Sequence, residues 1–90
     1  MIRILIIEDE IKAAKELKKL IEEQRSDMEV VGITGSVKKS IEWLSENEMP
    51  DLIFSDIQLA DGLSFEIYKP VNVTAPIVFC TARDHYAIQA

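Results

Sequence analysis

The run Ile2-Arg3-Ile4-Leu5-Ile6-Ile7 limits the possible folds more than any other segment. It is short, rich in β-branched residues, and shows almost no alternation of apolar with polar positions. A strand with one face in water alternates, so a strand without alternation needs both faces covered. The run therefore predicts an interior strand of a parallel sheet with helices packed on each side. It is too short for the core of a signal peptide and is followed by no small-residue cleavage site. It is also far too short to span a bilayer.

The rest of the chain alternates in the way such a sheet requires. From about Ile11 to Gln24, apolar residues fall at Ile11, Ala14, Leu17 and Ile21, with Ala13 and Leu20 alongside. That is helical spacing, and the Lys/Glu-rich stretch 15–23 reads as its solvated face. Met28 to Thr34 reads as a second strand, with Gly32 a weak spot or a bulge. Ser36 is placed to cap a second helix whose stripe is Val37, Ile41 and Leu44, and Pro50 closes the turn out of it. Leu52-Ile53-Phe54 is a third strand leading into Ser55-Asp56. Gln58 to Gly62 reads as a loop, followed by a short helix from about Leu63 to Tyr68 that Pro70 limits. Pro76 to Cys80 is a fourth strand ending at Thr81-Ala82, and a helical pattern begins in the tail, Asp84 to Ala90. No repeat, linker or low-complexity segment interrupts residues 1–90, which read as one domain. Strands alternating with helices predict an α/β doubly wound parallel sheet with right-handed crossovers. Function in such sheets gathers at the carboxyl ends of the strands.

Composition narrows the partners. Apolar residues make up 48% of the chain, above the level of disordered segments, so a packed core is expected. A net charge of −6 repels phosphate backbones and anionic lipid, which argues against direct nucleic acid or membrane binding by this segment. The lone Cys80 has no internal disulfide partner and suits a reducing cytosol, so a cytoplasmic location is expected.

The first strand ends in Glu8-Asp9, the third in Asp56 and the fourth in Thr81-Ala82. If those three strands lie side by side, three carboxylates and a hydroxyl converge. Carboxylates packed together repel one another. A hard divalent cation such as Mg²⁺ relieves the conflict, since it takes carboxylate and carbonyl oxygens and can bridge to a phosphoryl group. The cluster suggests a carboxylate nucleophile beside Mg²⁺, and carboxylates do serve as phosphoryl acceptors. There is also an ordinary reading: Glu8-Asp9 as a solvated pair or Asp9 as cap of the first helix, and Thr81 as a strand terminus. Their joint position favours the chemistry.

These segments resemble a known family. Ile-Leu-Ile-Ile-Glu-Asp-Glu (4–10), Asp-Leu-Ile-Phe-Ser-Asp-Ile-Gln-Leu-Ala-Asp-Gly (51–62) and Pro-Ile-Val-Phe-Cys-Thr-Ala (76–82) look like the receiver domains of two-component response regulators. Thr-Ala-Arg-Asp-His-Tyr-Ala-Ile-Gln-Ala (81–90) is similar to receivers joined to LytTR-type DNA-binding domains. The resemblance implies a flavodoxin-like sheet with strand order 2-1-3-4 over these residues. It implies that Asp56 accepts phosphoryl from a sensor histidine kinase and that the output, through a DNA-binding domain elsewhere in the protein, is transcriptional. Asp9 would bind Mg²⁺ directly, Glu8 through water, and Gln58 through its backbone carbonyl. Thr81 and the Ala82 amide would contact the phosphoryl group. The chain would be a phosphoacceptor rather than an enzyme acting on other substrates.

The match has two departures. Glu8 stands where the family has aspartate. The family's fifth strand, with its phosphoryl-pairing lysine, would lie beyond Ala90, and none of Lys12 to Lys69 occupies that place. A sheet ending at the fourth strand would expose a pairing edge, so oligomers through that edge or through swapped segments are expected. One rival is a degenerate receiver that works by protein contact alone. A second is an aspartyl phosphatase, which would want an aspartate where Gln58 stands. A nucleotide binder lacks its Gly-rich loop after the first strand. Cys80 and the half-buried Trp43 read as packing, and His85 as an ordinary helix-start or surface residue rather than a phosphoryl relay.

Overall fold

The computed structural model describes residues 1–79. A four-stranded parallel sheet is built from β1 (Ile2–Ile7), β2 (Met28–Thr34), β3 (Leu52–Ser55) and β6 (Ile77–Phe79), in the order β2-β1-β3-β6. Two helices, α1 (Ile11–Gln24) and α2 (Val37–Glu46), complete the frame. Two strands of two residues each, β4 (Gln58–Leu59) and β5 (Gly62–Leu63), form a separate antiparallel hairpin.

β1 has the two covered faces its composition predicts. Ile4, Leu5, Ile6 and Ile7 are all fully buried. Period-two alternation sends Ile4 and Ile6 to one face, against Ala14, Leu17 and Ile21 of α1. It sends Leu5 and Ile7 to the other, against Leu44 of α2 together with Ile53, Leu59 and Ile67. Each such side chain contributes about 1.5–3 kcal/mol relative to exposure, so β1 alone anchors both cores. Gly32 is indeed at a register break: Ile4 faces Val30 while Leu5 faces Gly32, leaving Val31 as the extra residue. A Cβ on Gly32 would stand 2.5 Å from Nε1 of Trp43, so the half-buried indole occupies the space that glycine leaves.

Ser36 caps α2 as predicted, its hydroxyl accepting the Lys39 N–H at 3.0 Å. Asp9 does not cap α1: the N-cap is Glu10, whose side chain makes no cap bond. Ile11 and Leu20 do not join the buried stripe. Both are exposed: Leu20 lies off the stripe of Ala14, Leu17 and Ile21, and Ile11, at the first position of α1, lies at the end of that stripe. The expected loop Gln58–Gly62 is the β4–β5 hairpin, and the expected helix is a 3₁₀ segment, Ser64–Tyr68. The expected strand Pro76 to Cys80 is described from Ile77 to Phe79, with Cys80 outside the described residues; among the described strands β6 forms one edge, with Val78 and Phe79 exposed. The side chains of Phe65 and Phe79 pack there at 5.1 Å between ring centres. Cys80, His85 and the predicted tail helix lie outside the described residues. No helix among those described is long and apolar enough to cross a membrane.

Candidate functional site

Register brings the acids together. β1 and β3 pair so that Ile7 faces Ser55, which puts Glu8 and Asp56 level with each other one residue on. The ladder continues past the strand ends: the Asp56 N–H donates to the Ile7 carbonyl at 2.8 Å, and the Glu8 N–H donates to the Thr34 carbonyl at 2.9 Å. Thr34 is itself fixed, since its hydroxyl and that of Ser40 lie 2.7 Å apart in the interior. The main chain entering the site is thereby tied to β2, β3 and the first turn of α2.

Glu8, Asp9 and Asp56 each present a carboxylate oxygen, and these oxygens lie within 4.8 Å of one another. Octahedral coordination with bonds near 2.1 Å separates adjacent ligands by about 3.0 Å and opposite ones by about 4.2 Å, so oxygens this close are within reach of one small cation, directly or through its bound water. The donors are hard oxygens only, which suits Mg²⁺ rather than a thiophilic metal. The Glu8 carboxyl is pushed up to about 7, chiefly by desolvation, with the neighbouring Asp9 and Asp56 adding to the rise. The Glu10 N–H, donating to Glu8 at 3.0 Å, opposes that rise.

The loop after Asp56 is fixed by its own bonds. Asp56 accepts the Ile57 N–H at 2.8 Å. The Ile57 carbonyl accepts from both the N–H (2.9 Å) and the hydroxyl (3.2 Å) of the buried Ser64. The Leu63 N–H donates to Glu66 at 3.0 Å. Gly62 has φ +147°, a conformation that side chains disfavour, and a Cβ there would also meet Glu66. Gln58, at the base of the hairpin, is exposed and pairs with Leu63. Asp61, at the tip, accepts the N–H groups of Val37 and Lys38 at the start of α2, and these donors hold its carboxyl below the usual carboxylate range.

The structure thus brings together Glu8, Asp9 and Asp56, with Gln58 on the adjoining hairpin. Thr81 and Ala82 lie outside the described residues. Sequence reasoning missed Asp61, Ser64 and Glu66. The Asp61-Gly62 pair carries a hairpin signal, which was the available clue to the first.

The model of the response regulator receiver domain family matches residues 4–90. Over the whole chain, the sequence is 41% identical to the sensory transduction protein LytT of Bacillus anthracis and 37% identical to the transcriptional regulatory protein BtsR of Escherichia coli. The chain spans 37% of the first and 38% of the second. Among solved structures, the response regulator PhyR of Brucella abortus superposes with a TM-score of 0.75 at 33% identity, over 93% of this chain and 35% of that one.

Proposed function

The chain belongs to the response regulator receiver domain family, and from that premise we propose that Asp56 is its phosphoacceptor. The observation that carries the assignment is the placement of Asp56 at the end of β3, its carboxylate within 4.8 Å of those of Glu8 and Asp9. The phosphoryl donor is a phosphohistidine of a sensor kinase. A carboxylate oxygen of Asp56 attacks phosphorus, the P–N bond breaks, and its electron pair leaves with the imidazole, giving an acyl phosphate.

Glu8, Asp9, Asp56 and the Gln58 carbonyl are the residues that would hold Mg²⁺, with Glu8 acting through water. When bound, the ion supplies the positive charge that three carboxylates and an incoming phosphoryl group otherwise lack. The Ile57 N–H, on one oxygen of Asp56, fixes the orientation of the carboxylate. Thr81 and the Ala82 amide are assigned to the phosphoryl oxygens. The domain works in the cytoplasm, and its output is carried by a DNA-binding domain of the complete protein.

Incubation with labelled acetyl phosphate and Mg²⁺ tests the assignment. A hydroxylamine-labile label that maps to Asp56 is expected. Absence of label in a folded, complete protein would overturn it.

A further inference from the structure

The β4–β5 hairpin holds only two residue pairs, Gln58 with Leu63 and Leu59 with Gly62. A ladder that short does not sustain its own geometry in water. Its base is fixed by Ser64, which donates twice to Ile57, and by Glu66, which accepts from Leu63. Its tip is fixed by one residue. Asp61 reaches the start of α2, 23 and 24 positions back along the chain, and accepts the Val37 N–H at 2.7 Å on one oxygen and the Lys38 N–H at 3.1 Å on the other. Ser36 takes the third donor of that turn, the Lys39 N–H. The opening N–H groups of α2 are therefore shared between a local cap and a distant one.

The two caps differ in what they secure. Ser36 closes the helix on itself. Asp61 closes it onto the hairpin that carries Gln58, whose backbone carbonyl is assigned to the cation. A carboxylate accepting two backbone donors is stronger than a hydroxyl accepting one, and its two oxygens fix direction as well as distance. We propose that Asp61 is a positioning residue for the acidic site, latching the hairpin to α2 so that the segment from Ile57 to Leu63 holds its shape before any cation arrives. The consequence for Mg²⁺ affinity rests on the receiver reading above; the latch itself does not.

The test compares Asp61→Ala, Asp61→Asn and Ser36→Ala. Amide hydrogen exchange is measured on the metal-free protein and Mg²⁺ binding by titration calorimetry. Asp61→Ala is expected to speed exchange at Leu63 and Ser64 about tenfold and to weaken Mg²⁺ about tenfold. Asp61→Asn keeps one acceptor oxygen and should fall between Asp61→Ala and the parent protein. Ser36→Ala should speed exchange at Lys39 while leaving Leu63, Ser64 and the Mg²⁺ affinity within about twofold. Equal patterns for Asp61→Ala and Ser36→Ala would overturn the latch, as would unchanged hairpin exchange in Asp61→Ala. A parent protein that binds no Mg²⁺ while Asp61→Ala still loosens the hairpin would uphold the latch and sink the metal assignment.

Discussion

Two loops deliver the acids, and they are built in opposite ways. The loop after β3 is over-determined: Ser64, Glu66 and Asp61 each fix a different point of it. The loop after β1 is thinly held. Asp9 and Glu10 are exposed, the start of α1 has no side-chain cap, and one bond from the Glu10 N–H to Glu8 is the chief local restraint. Asp56, the proposed phosphoacceptor, is thus placed by the fold, whereas the neighbouring acid pair has few side-chain restraints. Rigid geometry suits a nucleophile, whose reaction depends on distance and angle. A softer pair suits ligands that must gather around an ion of exact coordination demands.

The contrast can be broken at four points. The largest effect belongs to the rigid loop: Asp56→Asn should remove acetyl phosphate labelling altogether, because the amide is no nucleophile and nothing else in the loop stands in its place. Full labelling of that variant, read by mass spectrometry, would show the acceptor to be elsewhere. Next comes the soft loop. Asp9→Ala should lower Mg²⁺ affinity by more than about a hundredfold, since a unit charge pair at about 4 Å near a protein surface is worth ~4 kcal/mol. Glu8→Ala, acting through water, should cost about fivefold, the ~1 kcal/mol of a fully screened pair. Calorimetry giving both variants equal affinity would remove the distinction between direct and water-mediated contact.

A third, smaller effect compares the loops without metal. Ser64→Ala removes a buried hydroxyl bond and should lower stability by about 1 kcal/mol in denaturant titration. Glu10→Ala removes no cap bond and should stay within about 0.5 kcal/mol of the parent. The reverse ranking would mean that the soft loop is the better held. The smallest effect is the pH dependence of the metal-free protein. Glu8 carries a folded-state pKa of about 7 against an ordinary 4.5, so the native state holds that proton more tightly than the unfolded chain does. Its contribution is complete below pH 4.5 and is lost as pH rises through 7. Glu8→Gln should flatten the fall in denaturant midpoint over that window, and an unchanged slope would show that Glu8 does not hold its proton more tightly in the folded chain.

The sheet was legible because burial is written in composition. The run without alternation, Ile4 to Ile7, short and rich in β-branched residues, reads as a strand with two covered faces, and all four residues are fully buried. The acids were legible because each ends a strand, and parallel sheets collect their strand ends. Ile11 misled because it has the right spacing at the wrong place: helical periodicity gives the angular position of a residue but not how far the sheet extends beneath it. The hairpin and its ties were hidden for another reason. Asp61 finds its partners more than twenty residues back along the chain, and a hydrogen bond across that separation leaves no period to detect. Thr81 and Ala82 were read from their place after the fourth strand, with their roles taken from resemblance, and they lie outside the described residues.

The indole pressed over Gly32 has a practical consequence. The chain has one tryptophan, and Trp43 sits on α2 with its ring against β2 at the register break. Its emission therefore comes from a single, unmixed chromophore whose surroundings change when that helix lifts or tilts. Since the first turn of α2 is bonded to the hairpin beside Asp56, filling the acidic cluster should shift the wavelength or intensity of that light. Cation and phosphoryl donor could then be followed in stopped flow with no dye attached. The signal would survive only while position 32 keeps its hydrogen, because any larger residue there must displace the ring that does the reporting.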